Sequence, residues 1–385
     1  MKNKSLYIHI PFCKTKCAYC DFFRVTDFVL AEKYVDALIF EISKLDSCSD
    51  ICTIYIGGGT PSVLQFDLIE KILSFIKNKI DVENIEEFTV ECNPEDVSDK
   101  LIYILKRYGV NRISLGVQTL NDDMLRFLNR RHNSDKVYNS IEIIKNTGIK
   151  NISVDMIFGL PKIENYNFKN DVEKFLKLDI KHFSAYALSY EKNSYLSVLL
   201  KNKKIVPLSD DEVAWQYEYL TSELKKNGFY HYEISNYCKN KIDGFNENIT
   251  CLNNNFYNSK HNTYCWIRKP YYGIGAGAYS FDGQKRWNNV ADIKKYISLV
   301  DKTDEIREYE YLTEKDVYNE IVMLGLRTSF GVSKKNISEK YKNYFLKKVK
   351  QLCSDGLLIK ISDYDYRIPE SKWFLLDLIT EKMML

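Results

Sequence analysis

Six short apolar runs separated by amphipathic stretches constrain this chain more than any other feature of its sequence. Residues 6–10, 53–56, 88–92, 112–117, 152–158 and 182–188 have strand character. Between them, apolar residues recur at i, i+3 and i+4, which predicts helices over 29–45 and 68–80. Over 98–108, Ser98 can N-cap a helix and Gly109 supplies a left-handed stop. Strands joined by helices pair in parallel through right-handed crossovers. A doubly wound sheet and a barrel both satisfy that α/β pattern. The unusual residues decide between them. Cys13 to Cys20, Gly57 to Thr60, Glu91 to Pro94, Gln118 and Asp155 to Pro161 all fall at or just beyond strand C-terminal ends, where barrel active sites are built. The expectation is a partial (β/α)6 barrel over residues 1–205.

Beyond about residue 205 the alternation gives way to longer helices and a Tyr- and Asn-rich connection over 230–289, read as a connecting region with helices over 206–305. Residues 306–385 look separate. Helices over 311–327 and 343–354, then alternation over 357–369 after Gly356, predict a C-terminal winged-helix-like α+β domain. Such domains suggest DNA binding. Here Lys340, Lys342, Lys347, Lys348 and Lys350 spread round the helix and form no Arg-rich recognition face, so a packing module is favoured. A net charge of +3 gives no argument for nucleic acid or an anionic membrane. No apolar run reaches the roughly 18 residues of a membrane span. The first motif starts at residue 7, leaving no room for a targeting segment, so a cytoplasmic protein with reduced thiols is expected.

In that setting the ten cysteines divide sharply. Cys48, Cys52, Cys92, Cys238, Cys251, Cys265 and Cys353 are dispersed and read mostly as small buried hydrophobes. Cys13, Cys17 and Cys20 share one loop after the first strand, and their thiolates can each reach a different corner of a four-iron cube. A structural zinc ion wants four ligands, and only His9, ahead of the loop, is near. The spacing therefore predicts a [4Fe–4S] cluster with one iron free to chelate a small molecule.

The Cys-x3-Cys-x2-Cys loop, with Tyr19 before its last cysteine, resembles the radical S-adenosylmethionine (SAM) superfamily. Tyr7-Ile8-His9-Ile10-Pro11-Phe12-Cys13 is similar to the branch that holds oxygen-independent coproporphyrinogen III oxidases and the heme chaperones of the HemW family. The likeness stays collinear through Gly57-Gly58-Gly59-Thr60-Pro61-Ser62, Glu91-Cys92-Asn93-Pro94, Arg112 to Gln118, Asp155 to Pro161 and Tyr232 to Asn236. It implies SAM on the open iron, with Gly58, Gly59 and Thr60 along its amino group and Glu91 at the ribose hydroxyls. It also implies Gln118, Arg130 and Asp155 lining the mouth and Tyr7 and Tyr19 flanking the cluster. Arg131 stands next to Arg130 and competes for its role. Gly273 to Ala278 resembles a segment that closes the site, and no βαβ unit follows it as a dinucleotide motif would require.

Within that branch, Asp21-Phe22 stands where the oxidases carry a further cysteine, and the motif starts early; both features favour the HemW family. His261-Asn262-Thr263-Tyr264-Cys265-Trp266 resembles the His-Asn-x-x-Tyr-Trp segment associated there with heme, with Cys265 where Tyr is usual. Histidine is a standard axial heme ligand and cysteine thiolate another, so the resemblance implies His261, or Cys265, as a heme ligand. The expected function is a heme chaperone carrying a [4Fe–4S] cluster and SAM, with heme, heme-accepting respiratory proteins and a second copy of the chain as partners. Oxygen-independent coproporphyrinogen III oxidation is the alternative.

Overall fold

The computed structural model describes residues 4–45, 48–240 and 256–385; Cys251 and the Asn-rich run 252–255 lie outside the described residues. All six expected strands are present: β1 (Lys4–Ile10), β2 (Ile51–Gly58), β3 (Glu87–Cys92), β4 (Arg112–Gln118), β5 (Asn151–Phe158) and β6 (His182–Ala187). They pair in parallel and in sequence order. Strand side chains alternate between faces, and here the two faces differ in chemistry. Ile54, Ile56, Phe88, Val90, Ile113, Leu115, Val154 and Met156 belong to the apolar core. Thr53, Glu87, Thr89, Arg112, Ser114, Ser153, His182 and Ser184 take the other face and are also buried. A buried polar face must find its hydrogen bonds within the protein, and it becomes the lining of the lumen.

The outer layer contains the helices Ala31–Ser43, Phe66–Lys79, Asp99–Arg107, Ser134–Asn146 and Phe168–Leu176. Asp99–Arg107 starts as expected, with the Ser98 hydroxyl accepting from Leu101 N–H, and stops at Gly109, whose φ is +91°.

Six further strands flank this core: β7 (Phe229–Glu233), β8 (Asn236–Lys239), β9 (Tyr271–Ile274), β10 (Tyr279–Phe281), β11 (Lys285–Asn289) and β12 (Arg307–Tyr311). The sheet order is β12-β11-β10-β9-β1-β2-β3-β4-β5-β6-β8-β7. β1 and β6 thus pair outward with β9 and β8 instead of with each other, leaving a partial barrel with a lateral opening. The region read as a helical connection therefore also supplies strands, and the sheet runs through β12, past residue 305. These strands are only 3–5 residues long. Their pairing is set by distant neighbours and leaves little local periodicity to read.

The C-terminal domain holds the helices Glu314–Leu326 and Glu339–Ser354 and a three-stranded antiparallel sheet of Val332–Ser333, Asp365–Arg367 and Ile359–Lys360, the winged-helix-like order expected. Lys340 pairs with Glu314 at 3.0 Å and Lys342 with Glu339 at 2.5 Å, as on a solvated face. The domain is tied to the barrel's edge: Ile234 N–H donates to Arg327 C=O and Ser329 N–H to Tyr232 C=O, both at 2.9 Å. Among the described residues no helix is long and apolar enough to cross a membrane.

Candidate functional site

The loop after β1 carries Cys13, Cys17 and Cys20, all partly buried and none in a disulfide. Each sulfur has a polar neighbour. Cys13 Sγ lies 3.6 Å from Thr60 Oγ1, Arg130 Nη1 donates to Cys17 Sγ at 3.3 Å, and Arg24 Nη1 to Cys20 Sγ at 3.2 Å. Asn93 joins these contacts into one network. Its Nδ2 donates to Thr60 Oγ1 at 3.2 Å, and its Oδ1 accepts from Arg130 Nη2 at 2.7 Å. Arg130, bonded also to Gly116 C=O, faces the cysteines, whereas Arg131 turns outward to Glu95 and Asp96. Tyr19 packs in a small apolar cluster with Met124, Leu128 and Ile157 beside the loop.

Gly58 and Gly59 pass so close beneath this loop that no side chain fits. A Cβ on Gly59 would stand 2.7 Å from Phe12 O and 3.0 Å from Cys13 Sγ, and one on Gly58, at φ +115°, 2.6 Å from the His9 ring. The glycines also let Glu91 reach the backbone. Its Oε2 accepts from Gly58 N–H at 3.1 Å and its Oε1 from Tyr55 Oη at 2.7 Å. Burial pushes the Glu91 carboxyl up to about 7, with Tyr55 pulling it down and Asp155 pushing it further up. Asp155, two strands away, is raised to about 6 by burial and accepts from Ser114 Oγ at 3.5 Å. Gln118 ends β4 in the left-handed region, φ +72°, where a non-glycine residue is strained, and is 9% exposed. Thr60, Gln118, Arg130, Asp155 and Glu91 thus surround the upper lumen.

Tyr7 sits a rung lower. Its hydroxyl bonds His9 Nδ1 at 2.9 Å, and its ring lies near those of Tyr55 and His261. His261 itself is the unexpected placement. The helix Lys260–Trp266 plugs the floor of the barrel, and the buried His261 ring enters the lumen 5.1 Å from that of Tyr55. Its Nδ1 shares a 3.0 Å hydrogen bond with Thr53 Oγ1. Burial, with Arg112 adding to it, lowers its pKa to about 3, so the ring is neutral. Burial likewise pushes the Cys265 thiol up to about 12, keeping it protonated at neutral pH.

Glu87 anchors the helix, accepting from Lys260 N–H at 2.8 Å and His261 N–H at 3.1 Å. Tyr232 Oη accepts from Ser259 N–H and bonds His182 Nε2, whose other nitrogen meets Ser153 Oγ. Glu87, Tyr55, Asn93 and Arg24 were not singled out from the sequence. Asn93 lay within a recognised motif, and Arg24 is four residues from Cys20. Nothing near Glu87 or Tyr55 in the chain marked them.

Three thiols, two of them accepting from an arginine, and no fourth cysteine in the loop match the donor chemistry of a cluster with an open iron. Burial pushes the Cys13 thiol up to about 11 and raises that of Cys20. Among the described residues no three Cys, His, Asp or Glu side chains surround a single-ion point; a four-iron cluster takes each thiolate on a separate iron.

Fold and loop together define a radical SAM protein. The family model described as the Radical SAM superfamily matches residues 7–175, and that of the HemN C-terminal domain matches 312–370. The heme chaperone HemW of Lactococcus lactis subsp. lactis (strain IL1403) is 40% identical over 352 residues, covering 90% of this chain and 87% of the relative. That of Bacillus subtilis (strain 168) is 36% identical over 369 residues, covering 92% of each. The chain belongs to the HemW family of radical SAM proteins. The structure of coproporphyrinogen III oxidase (HemN) from Escherichia coli matches with a TM-score of 0.81 at 20% identity, covering 99% of this chain and 90% of that one, a likeness of fold. The cofactors of the class are a [4Fe–4S] cluster and SAM, which supply one-electron chemistry when bound.

Proposed function

We propose that the protein is a heme chaperone in which the radical SAM site and the heme segment share one barrel. Cys13, Cys17 and Cys20 hold the cluster. Gly58, Gly59, Thr60, Glu91, Gln118, Arg130 and Asp155 receive SAM, with Tyr7 and Tyr19 shielding the site. His261 is the heme ligand. Support comes from the names of the relatives and, within this chain, from one observation: His261 packs on Tyr55, whose hydroxyl bonds Glu91, which holds Gly58. A single run of contacts therefore joins the heme segment to the residues assigned to SAM. A neutral imidazole is the form that binds a metal. Because His261 is buried, its ligation to iron requires the helix Lys260–Trp266 to move. Cys265, four residues further along the same helix, is the sulfur alternative. Delivery to heme-accepting respiratory proteins, a cytoplasmic setting and a homodimeric state belong to the same proposal.

Heme titration of anaerobically purified protein tests it. Wild type should develop a Soret band that His261→Ala loses or shifts, with the cluster absorbance unchanged. Turnover of coproporphyrinogen III to protoporphyrinogen IX with SAM and reductant would move the chain to the oxidase reading.

A further inference from the structure

Two segments meet beside the β7–β8 turn. One is the helix Lys260–Trp266; the other is residues 327–329, leaving the helix Glu314–Leu326 of the C-terminal domain. There the Arg327 guanidinium lies over the Trp266 ring, 4.1 Å from its centroid. Beside it are Glu233 and Asn236 at the β7–β8 turn, 0% and 3% exposed. Asn236 Nδ2 donates to Glu233 Oε1. Glu233 Oε2 stands 3.7 Å from Arg327 Nε, too far for a hydrogen bond. Among the described residues, Arg327 Nε, Glu233 Oε2, Asn236 Oδ1 and Trp266 Nε1 are all buried without a hydrogen-bond partner. One such atom is ordinary in a folded protein; here two donors, Arg327 Nε and Trp266 Nε1, lack an acceptor at one junction, which points to a ligand group that accepts.

We propose that Arg327, held flat on Trp266, anchors a carboxylate of a ligand entering the lumen, which under the heme reading above is a propionate of the porphyrin. A guanidinium presents a rigid fork that matches a carboxylate with two parallel bonds, and stacking on an aromatic face fixes its plane. The neighbouring Glu233 carboxyl stands beyond hydrogen-bond distance of it, and burial raises that group's pKa against the pull of Arg327. The corner adjoins the lumen strand β6: Asn236 pairs with Ser184, and Ala185 N–H donates to Ser235 C=O at 2.7 Å. The C-terminal domain would then supply a ligand contact as well as packing.

The test compares ferric heme with its dimethyl ester, titrated into the full chain and followed by the Soret band. Wild type should bind heme on the order of tenfold more tightly than the ester, because only heme offers a charged partner to Arg327. Arg327→Gln should remove that preference by weakening heme and leaving the ester unchanged, and Arg327→Lys should restore part of it. Equal affinity of wild type for heme and ester would overturn the anchor without needing any variant to fold. Equal weakening of both ligands in Arg327→Gln would also overturn it, reducing Arg327 to a packing role. Wild type that binds neither ligand would sink the heme reading itself, and this proposal with it.

Discussion

Glu87 locks the floor of the barrel, and replacing it should loosen the protein by an amount that its contacts allow to be worked out. Its Oε2 accepts from Lys260 N–H at 2.8 Å; its Oε1 accepts from His261 N–H at 3.1 Å and from the hydroxyls of Thr89 and Ser259 at 3.3 and 3.4 Å. It is 2% exposed, and it is the largest influence holding the charge on buried Arg112 against desolvation. Glu87→Gln keeps one acceptor oxygen but places an amide NH2 against a backbone N–H. One charge-assisted hydrogen bond is lost and a donor is left buried, a destabilisation of about 2–3 kcal/mol. Glu87→Ala leaves both helix N–H groups and the Arg112 charge uncompensated, about 3–5 kcal/mol. For a domain of the barrel's size each kcal/mol lowers the melting temperature by roughly 2–4 °C, well within reach of thermal melting followed by circular dichroism.

The same change should have a second effect that general destabilisation does not predict. If the helix Lys260–Trp266 must lift for His261 to meet iron, the Gln variant should take up heme faster than wild type while melting earlier. Stopped-flow measurement of the Soret rise separates the two. A Gln variant that melts within 1 °C of wild type would refute the anchoring argument. One that melts earlier but takes up heme no faster would leave Glu87 a purely structural lock.

Three further outcomes are expected. Anaerobic reconstitution should give about four irons per chain, and Cys13→Ser, Cys17→Ser or Cys20→Ser should each abolish this while Cys48→Ser and Cys353→Ser do not; iron analysis decides. Glu91, raised to about 7 from an unfolded value near 4.5, favours folding fully below the unfolded value and loses that contribution as pH rises through 7. Cluster-free protein should therefore melt lower at pH 8 than at pH 5.5. Glu91→Gln should flatten that dependence while removing SAM binding, as measured by calorimetry. Gln118→Gly should relieve the left-handed strain at φ +72° and stabilise the cluster-free protein by about 0.5–1 kcal/mol while weakening SAM binding; an unchanged SAM affinity would remove Gln118 from the site.

What the sequence exposes and what it conceals divide along chain distance. The six core strands were legible because each is an apolar run backed by an amphipathic helix, and the upper site because its residues cluster in short motifs at strand ends. Arg130 and Arg131 could not be told apart from the chain alone, since either side of a short turn can face the cysteines. Only the fold sends one to Cys17 and the other to Glu95. The barrel floor was hidden for a deeper reason. Thr53, Tyr55, Glu87 and Arg112 are polar strand residues, and a linear pattern cannot distinguish a polar residue facing solvent from one facing a closed lumen. Their partners lie far away: Glu87 meets a helix 173 residues on, and Thr53 meets His261 across 208. His261 was legible as a residue of chemical interest, from its neighbours in the motif. Its burial against Tyr55 was not, because that contact exists only once β2 and the helix Lys260–Trp266 have come together. Local chemistry can be read residue by residue, but the coupling between two such sites resides in the fold that brings them within a ring's width of each other.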